Sequence, residues 1–464
     1  LTLYDEIKLP PGAPQLQWGA TGTVVHKGSG WRIDKDIEHF NNLIKYSDGS
    51  NTNLRIPQTE LEIKGDFTIY DQVILRMDST RIYSTGTDKT FSMVGKSYVY
   101  NYTPDVHAPA FPMDFDHYDI STESRTFLRG QENQTIYTRP TYGNLYIRNN
   151  NAVTIKLDGN LDVDGDFAMI TDAPALDDQN YDMTLAGSLV EFRNYTAGSN
   201  TITLNGGEQL LRNRISGTKN LNLNNLVMAG SGTKELSGRI NQLRMRGDFT
   251  IQSNAAFTAS SEILFEGSNW TNQGAFTLLN NAARFKSTSA QTVDPGANND
   301  FHSVVFQDAH TTTIVNNGLD VNNGAFRIEA GTVDMGSLTH HIASERIEGH
   351  DKWNIGSASF VFDRNGDQFL PPLTCRDLTF STNNPSKRAW KYMEGAINAD
   401  DIIIGRGYLR ASENDESSTT TYNITLTGNW TATGKFRAYG NTVFFESNNT
   451  TAKTIQSNNE VYFH

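Results

Sequence analysis

Apolar and polar residues alternate along most of the chain in short runs. Leu61 to Ile69 reads LEIKGDFTI, Leu161 to Met169 reads LDVDGDFAM, and Leu243 to Ile251 reads LRMRGDFTI. A period of two predicts a strand with one buried face. The glycine at the centre of each phrase predicts a bend or a close backbone approach. Looser copies occupy Leu319 to Ile328, Ile402 to Ala411 and Ile424 to Ala432. No segment keeps a 3.6-residue period for three turns, so helix is expected to be minor.

A second phrase precedes these strands: an apolar leader, two mostly polar residues, then a branched aliphatic. It stands in HFNNL (His39 to Leu43), TYGNL (Thr141 to Leu145), NLNNL (Asn222 to Leu226), NNDFHSV (Asn298 to Val304) and TCRDL (Thr374 to Leu378), and it begins again in NNEVYFH (Asn458 to His464). The leaders Phe40, Tyr142, Leu223, Phe301, Cys375 and Phe463 are 102, 81, 78, 74 and 88 residues apart. Residues 1–39 then close a preceding repeat. Five repeats follow at 40–141, 142–222, 223–300, 301–374 and 375–462, and 463–464 open a sixth. A third phrase ends each unit with Gln and an apolar residue two further on: Gln134 and Ile136, Gln209 and Leu211, Gln291 and Val293, Gln368 and Leu370, with Lys453 and Ile455 in the last. NWTNQGAF (Asn269 to Phe276) also matches NWTATGKF (Asn429 to Phe436), with Phe285 and Phe445 nine residues beyond each.

Strand phrases recurring about every 20 residues suit a parallel β-solenoid, whose coils stack on a continuous interior. The alternative is a row of tandem β-sandwich domains. Variable repeat length and the lack of a recurring linker favour a right-handed parallel β-helix of about five imperfect 74–102-residue repeats. The Asn-rich turns at Asn149 to Asn151, Asn316 and Asn317, and Asn383 and Asn384 are expected to stack as amide ladders.

Composition narrows the partners. The chain of 464 residues carries a net charge of −13, which argues against nucleic acid, since phosphate contacts need clustered Lys and Arg. No window approaches the ~20 apolar residues of a membrane-spanning helix. No secretion signal opens it, so the targeting segments of an exported protein are expected elsewhere. The lone Cys375 sits at an apolar repeat position and is expected to be a small buried hydrophobe.

The phrases FNNL, YGNL, GDFTI, NTVFF (Asn441 to Phe445) and the long stretch Phe111 to Tyr137 resemble the very large cell-surface adhesins of Bacteroidota exported by type IX secretion. The resemblance covers nearly the whole chain. It implies an extracellular filament carried along the cell surface in gliding motility and gripping a substratum or surface polysaccharide. The implied partners within the cell are the outer-membrane motility or secretion machinery. It carries over no catalytic residues.

Parallel β-helices also house polysaccharide lyases and hydrolases, so a carbohydrate-active enzyme is the alternative function. Such sites need carboxylates clustered with Lys or Arg on adjacent coils. The densest group, Asp158, Asp162, Asp164 and Asp166, lacks the glycine of a calcium loop, because Val163 fills its sixth position. Asp162 and Asp164 read as outward strand residues, and Asp363 to Gln368 as a polar turn. His340 and His341 are neighbours on a strand and face opposite sides, so they cannot share a metal. We therefore expect no enzyme activity, no metal and no cofactor; calcium is compatible with the acidic loops. The ligand-binding candidates are the aromatics and carboxylates of the first repeat's excess loop: Tyr98, Tyr100, Tyr102, Phe111, Asp114, Phe115, Asp116 and Tyr118. Their rings could stack on sugars, or pack as a loop against the flank of the solenoid.

Overall fold

The computed structural model describes residues 2–4, 22–28, 31–33, 37, 39–56, 60–77, 80–101, 111–171, 173–192, 194–213, 219–382, 389–412, 420–446, 453–457 and 461–462. They divide into two compact units, Leu1–Ile240 and Asn241–His464, and the division falls inside the third repeat. Each unit is a right-handed parallel β-solenoid. The only helical element among the described residues is a 3-10 turn, His350–Lys352, so none of them forms a helix long and apolar enough to cross a membrane.

In the first unit, strands Asn144–Ile147, Thr154–Leu157 and Leu161–Val163 make three sides of one coil. Phe167–Met169, Ala175–Asp177 and Met183–Leu185 make the next, each pairing in parallel with its predecessor. The second unit repeats this plan, with Asn269–Asn272 and Ala275–Phe285 pairing in parallel with Gln291–Asp294 and Asn298–Phe306. Sandwiches of antiparallel strands are excluded by this pairing. Coil length among the described residues runs from 18 residues (Phe360 to Leu378) to 30 (Tyr83 to Met113).

The leader phrase is a corner. Phe40 and Leu43, Tyr142 and Leu145, Leu223 and Leu226, Phe301 and Val304, and Cys375 and Leu378 are all buried. Two inward residues three apart break the alternation, which a straight strand cannot do. The glycine of GDF sits over that corner one coil later. A Cβ on Gly65 would lie 2.0 Å from Asn42 Oδ1, and one on Gly165 would lie 2.5 Å from the Gly143 carbonyl.

The corner also explains the Asp. Asn42 Oδ1 accepts the Asp66 N–H at 2.8 Å, and Asp66 Oδ1 accepts the Thr90 N–H at 3.0 Å. Asn144, Asp166 and Ser188 repeat the arrangement, at 3.0, 2.8 and 3.1 Å. In the second unit Asp401 accepts from Asn429 at 2.6 Å, and Asn429 from Thr454 at 3.1 Å. Each side chain caps an amide of the following coil. The expected amide ladders are not formed: Asn316 and Asn317 donate to the Asp294 carboxylate at 2.8 and 3.0 Å, and Asn149 donates to the Gly130 carbonyl. A carboxylate or carbonyl one coil back is the stronger acceptor for an amide N–H. Asn383 and Asn384 lie outside the described residues.

Gln of the third phrase is buried, and in three of the four phrases (Gln209, Gln291 and Gln368) it donates backward to a carbonyl of the previous coil. Gln291 donates to the Gly267 carbonyl at 2.8 Å and Gln368 to the Ile342 carbonyl at 2.7 Å. Lys performs the same task elsewhere. Lys234 stands in register on Gln209, and Lys391 on Gln368; their ammonium groups donate at 2.8 Å to the Gly206 and Arg364 carbonyls. Burial lowers the pKa of Lys234 and brings Lys391 down to about 7. The matched NWT phrases place Trp270 and Trp430 in the core, edge-on to Phe276 and Phe436 at 5.2 and 5.0 Å.

Candidate functional site

The excess loop of the first repeat does not gather its aromatics at one surface. Tyr98–Asn101 lies between Val73–Met77 and Arg125–Leu128 in one sheet, and Tyr98 and Tyr100 face outward, half-buried. Phe111 and Phe115 are fully buried, with ring centroids 5.3 and 5.8 Å from Phe91. They fill the interior and are closed to a ligand. Tyr118 lies on His117–Ile120 in a different sheet, half-buried among Phe91, Phe111 and Phe115. Burial pushes its phenol far above the ordinary range. Asp114 is exposed 3.5 Å from Arg81, and Asp116 accepts the Lys89 N–H at 3.3 Å. Tyr102 lies outside the described residues. The proposed cluster thus separates: two rings go to the core, two carboxylates to structural contacts, and two tyrosines to an outer face.

That outer face holds a row that the linear sequence does not join. Tyr100, Phe127 and Tyr146 stand in register on three coils. Their centroids are 4.9 Å apart at each step, edge-on and then stacked. The Arg129 guanidinium lies 4.4 Å from the Tyr100 centroid, and Arg125 lies 6.0 Å from that of Tyr98. Cations over rings in this range add ~0.5–2 kcal/mol each. The signal for Phe127 and Tyr146 was an aromatic at the same outward strand position, 27 and then 19 residues on. It becomes readable only once coil lengths are known.

Carboxylate clusters elsewhere serve the framework. Asp158 accepts from the Thr138 amide and hydroxyl at 2.9 and 2.7 Å, and Asp162 from Thr141 at 3.1 Å. Asp164 is exposed, its pKa raised by partial burial and by Asp162. A groove in the second unit is lined by Arg376, Asp377, Asp400, Asp401 and Lys453. Its acids are also engaged: Asp377 with Arg376 at 3.1 Å, Asp400 with Thr427, Asp401 with Asn429. Among the described residues no three His, Cys, Asp or Glu side chains converge as metal ligands.

His340 and His341 do face opposite sides. His340 is buried, its Nδ1 accepting the Leu319 N–H at 3.1 Å while Nε2 donates to the Met335 carbonyl at 3.0 Å. Burial brings its pKa down to about 4. His341 points outward 3.7 Å from Asp363, which raises its pKa. Asp320 is its register neighbour one coil back, and burial holds that carboxyl at about 6. Asp320 and His341 are thus register neighbours on one outer face, both with raised pKa values, which makes them the pair best suited to acid–base chemistry among the described residues. Cys375 is buried, and burial pushes its thiol up to about 12, so it packs as a hydrophobe.

Compared with known proteins, the chain matches no protein-family model, no curated protein sequence and no solved structure.

Proposed function

We propose that the chain is a structural and adhesive segment of a large bacterial cell-surface filament, held outside the cell and mediating surface attachment in gliding motility. Its stacked coils supply display, and its outer faces supply contact. The observation that supports this reading best is the half-buried outer row Tyr98, Tyr100 and Tyr146, bridged by the buried Phe127, with Arg125 and Arg129. Tyrosine rings on successive coils, braced by guanidinium groups, offer contacts for the apolar faces of sugars. A polysaccharide of the substratum is the ligand class that suits it, and the resemblance to adhesins points the same way.

Titrating the full chain against neutral and acidic polysaccharides tests this. Binding that weakens at least tenfold in Tyr100→Ala or Tyr146→Ala supports the adhesive reading. Depolymerisation of a polysaccharide, lost in Asp320→Asn or His341→Gln, would replace it with the carbohydrate-active enzyme, for which the Asp320 and His341 pair is the specific support.

A further inference from the structure

A second outward face, in the Asn241–His464 unit, carries a different chemistry. Strands Gln368–Leu370, Trp390–Met393, Tyr408–Arg410 and Lys435–Arg437 form one parallel sheet. Phe369, Tyr392, Arg410 and Arg437 make one outward column, and Trp390, Tyr408 and Lys435 make the next. Phe369 stacks on Tyr392 at 5.2 Å, and Trp390 packs on Tyr408 at 4.3 Å.

Arg410 lies at the centre. Its guanidinium carbon is 3.8 Å from the Trp390 centroid, 5.6 Å from Tyr392 and 5.4 Å from Tyr439. The residue is only 6% exposed, and its Nε has no hydrogen-bond partner. No carboxylate of the described residues pairs with it. Lys435 sits over Tyr408 at 6.0 Å, and Arg437 over Trp390 at 5.2 Å while donating to the Tyr439 hydroxyl at 3.1 Å. Arg346, over Phe369 at 4.0 Å, is held by the carboxylate of Glu394.

A buried guanidinium without an anion is costly, and ring faces return only part of that cost. A planar guanidinium fixed by rings, with an unpartnered Nε and no carboxylate of the described residues on it, is pre-organised for a carboxylate or sulfate. The surroundings select what bears that anion. Three cations gather on one face of a chain whose net charge is −13, so this face attracts a polyanion that the rest repels. The exposed edges of Trp390 and Tyr408 suit the apolar face of a sugar ring, and strands ~4.8 Å apart offer about one such contact per coil.

We propose that this face binds an acidic polysaccharide, with Arg410 receiving the carboxylate or sulfate, Lys435 and Arg437 flanking it, and Trp390 and Tyr408 stacking on sugar rings. The site is separate from the Tyr100 row, so either reading can fail without the other.

The test is calorimetric titration of the full chain with polygalacturonate, dextran sulfate, neutral dextran and single-stranded DNA. Polygalacturonate or dextran sulfate is expected to bind, and the tighter of the two identifies the anion. Arg410→Met, which keeps the packing against Trp390 but removes the charge, is expected to weaken that binding at least tenfold. Lys435→Gln, at an exposed position where folding is not at stake, is expected to weaken it two- to fivefold. Tyr100→Ala leaves it unchanged. Wild-type affinity in both Arg410→Met and Lys435→Gln overturns the proposal. So does equal binding of neutral dextran, which would remove the role of charge, or of single-stranded DNA, which would remove the role of the sugar.

Discussion

Lys391 lies 1% exposed in the interior, its ammonium held only by the Arg364 carbonyl at 2.8 Å. Desolvation lowers its pKa from 10.5 to about 7, aided by Arg364 and opposed by Asp363 and Asp367. The unfolded chain keeps this proton up to pH 10.5, whereas the folded chain releases it near 7. Between those values the unfolded state binds more protons, so stability rises with pH; below 7 the penalty is complete. A shift of that size corresponds to on the order of 4–5 kcal/mol. Gln368 occupies the same position one coil earlier and meets a carbonyl without any charge. Lys391→Gln therefore removes the penalty while giving up a charge-assisted hydrogen bond for a neutral one, a loss of ~1–2 kcal/mol. The expected gain is ~2–4 kcal/mol at pH 6, shrinking to nothing or reversing by pH 10.5. Urea unfolding of wild type and variant at pH 6, 8 and 10, followed by tryptophan fluorescence, measures it. A difference between the two proteins that does not change with pH would refute the reasoning, because Lys391 would then keep its proton in the fold.

Three further outcomes follow from the same coordinates. Trp270 is buried with an unpaired indole N–H, so Trp270→Phe should cost under ~1.5 kcal/mol, against ~3–5 for Trp270→Ala, measured by thermal unfolding. Gly165→Ala forces a methyl to 2.5 Å from the Gly143 carbonyl and should cost ~1–3 kcal/mol, whereas Asp66→Asn, which keeps the acceptor for Thr90, should stay within ~0.5 kcal/mol of wild type. His340, held down at about 4, keeps its contribution above pH 6.5, where folded and unfolded chains are both neutral. That contribution, roughly 3 kcal/mol, is lost as pH falls toward 4. Asp320, raised to about 6, works in the opposite sense over the same window, so Asp320→Asn should steepen the acid loss in a pH-stability profile.

Much of the coil was legible because its grammar is local. Alternation marked the straight sides, and the leader phrase of Phe40 with Leu43 or Cys375 with Leu378 marked each repeat, although its spacing of three became a corner only once both residues were placed in the interior. The pair of NWT phrases predicted equivalent places, and Trp270 and Trp430 occupy them. What depended on the neighbouring coil was hidden. Asp66 is an amide cap for Thr90, 24 residues later, a role that its own phrase does not show. Lys391 is interior, a place its own phrase does not announce, because its acceptor belongs to another coil. In the loop of the first repeat, closely spaced aromatics left inward and outward positions undivided, and Phe111 and Phe115 were assigned to the surface that Tyr98 and Tyr100 hold. Arg410 drew no notice at all. Its meaning comes from Trp390 and Tyr439, 20 and 29 residues away in opposite directions.

The corner caps nearly all point the same way: the acceptor belongs to the earlier coil and the N–H to the later one. A layer therefore presents a row of acceptor oxygens to the coil that follows it and a row of N–H donors to the coil before it, so the two faces of one course differ in chemistry.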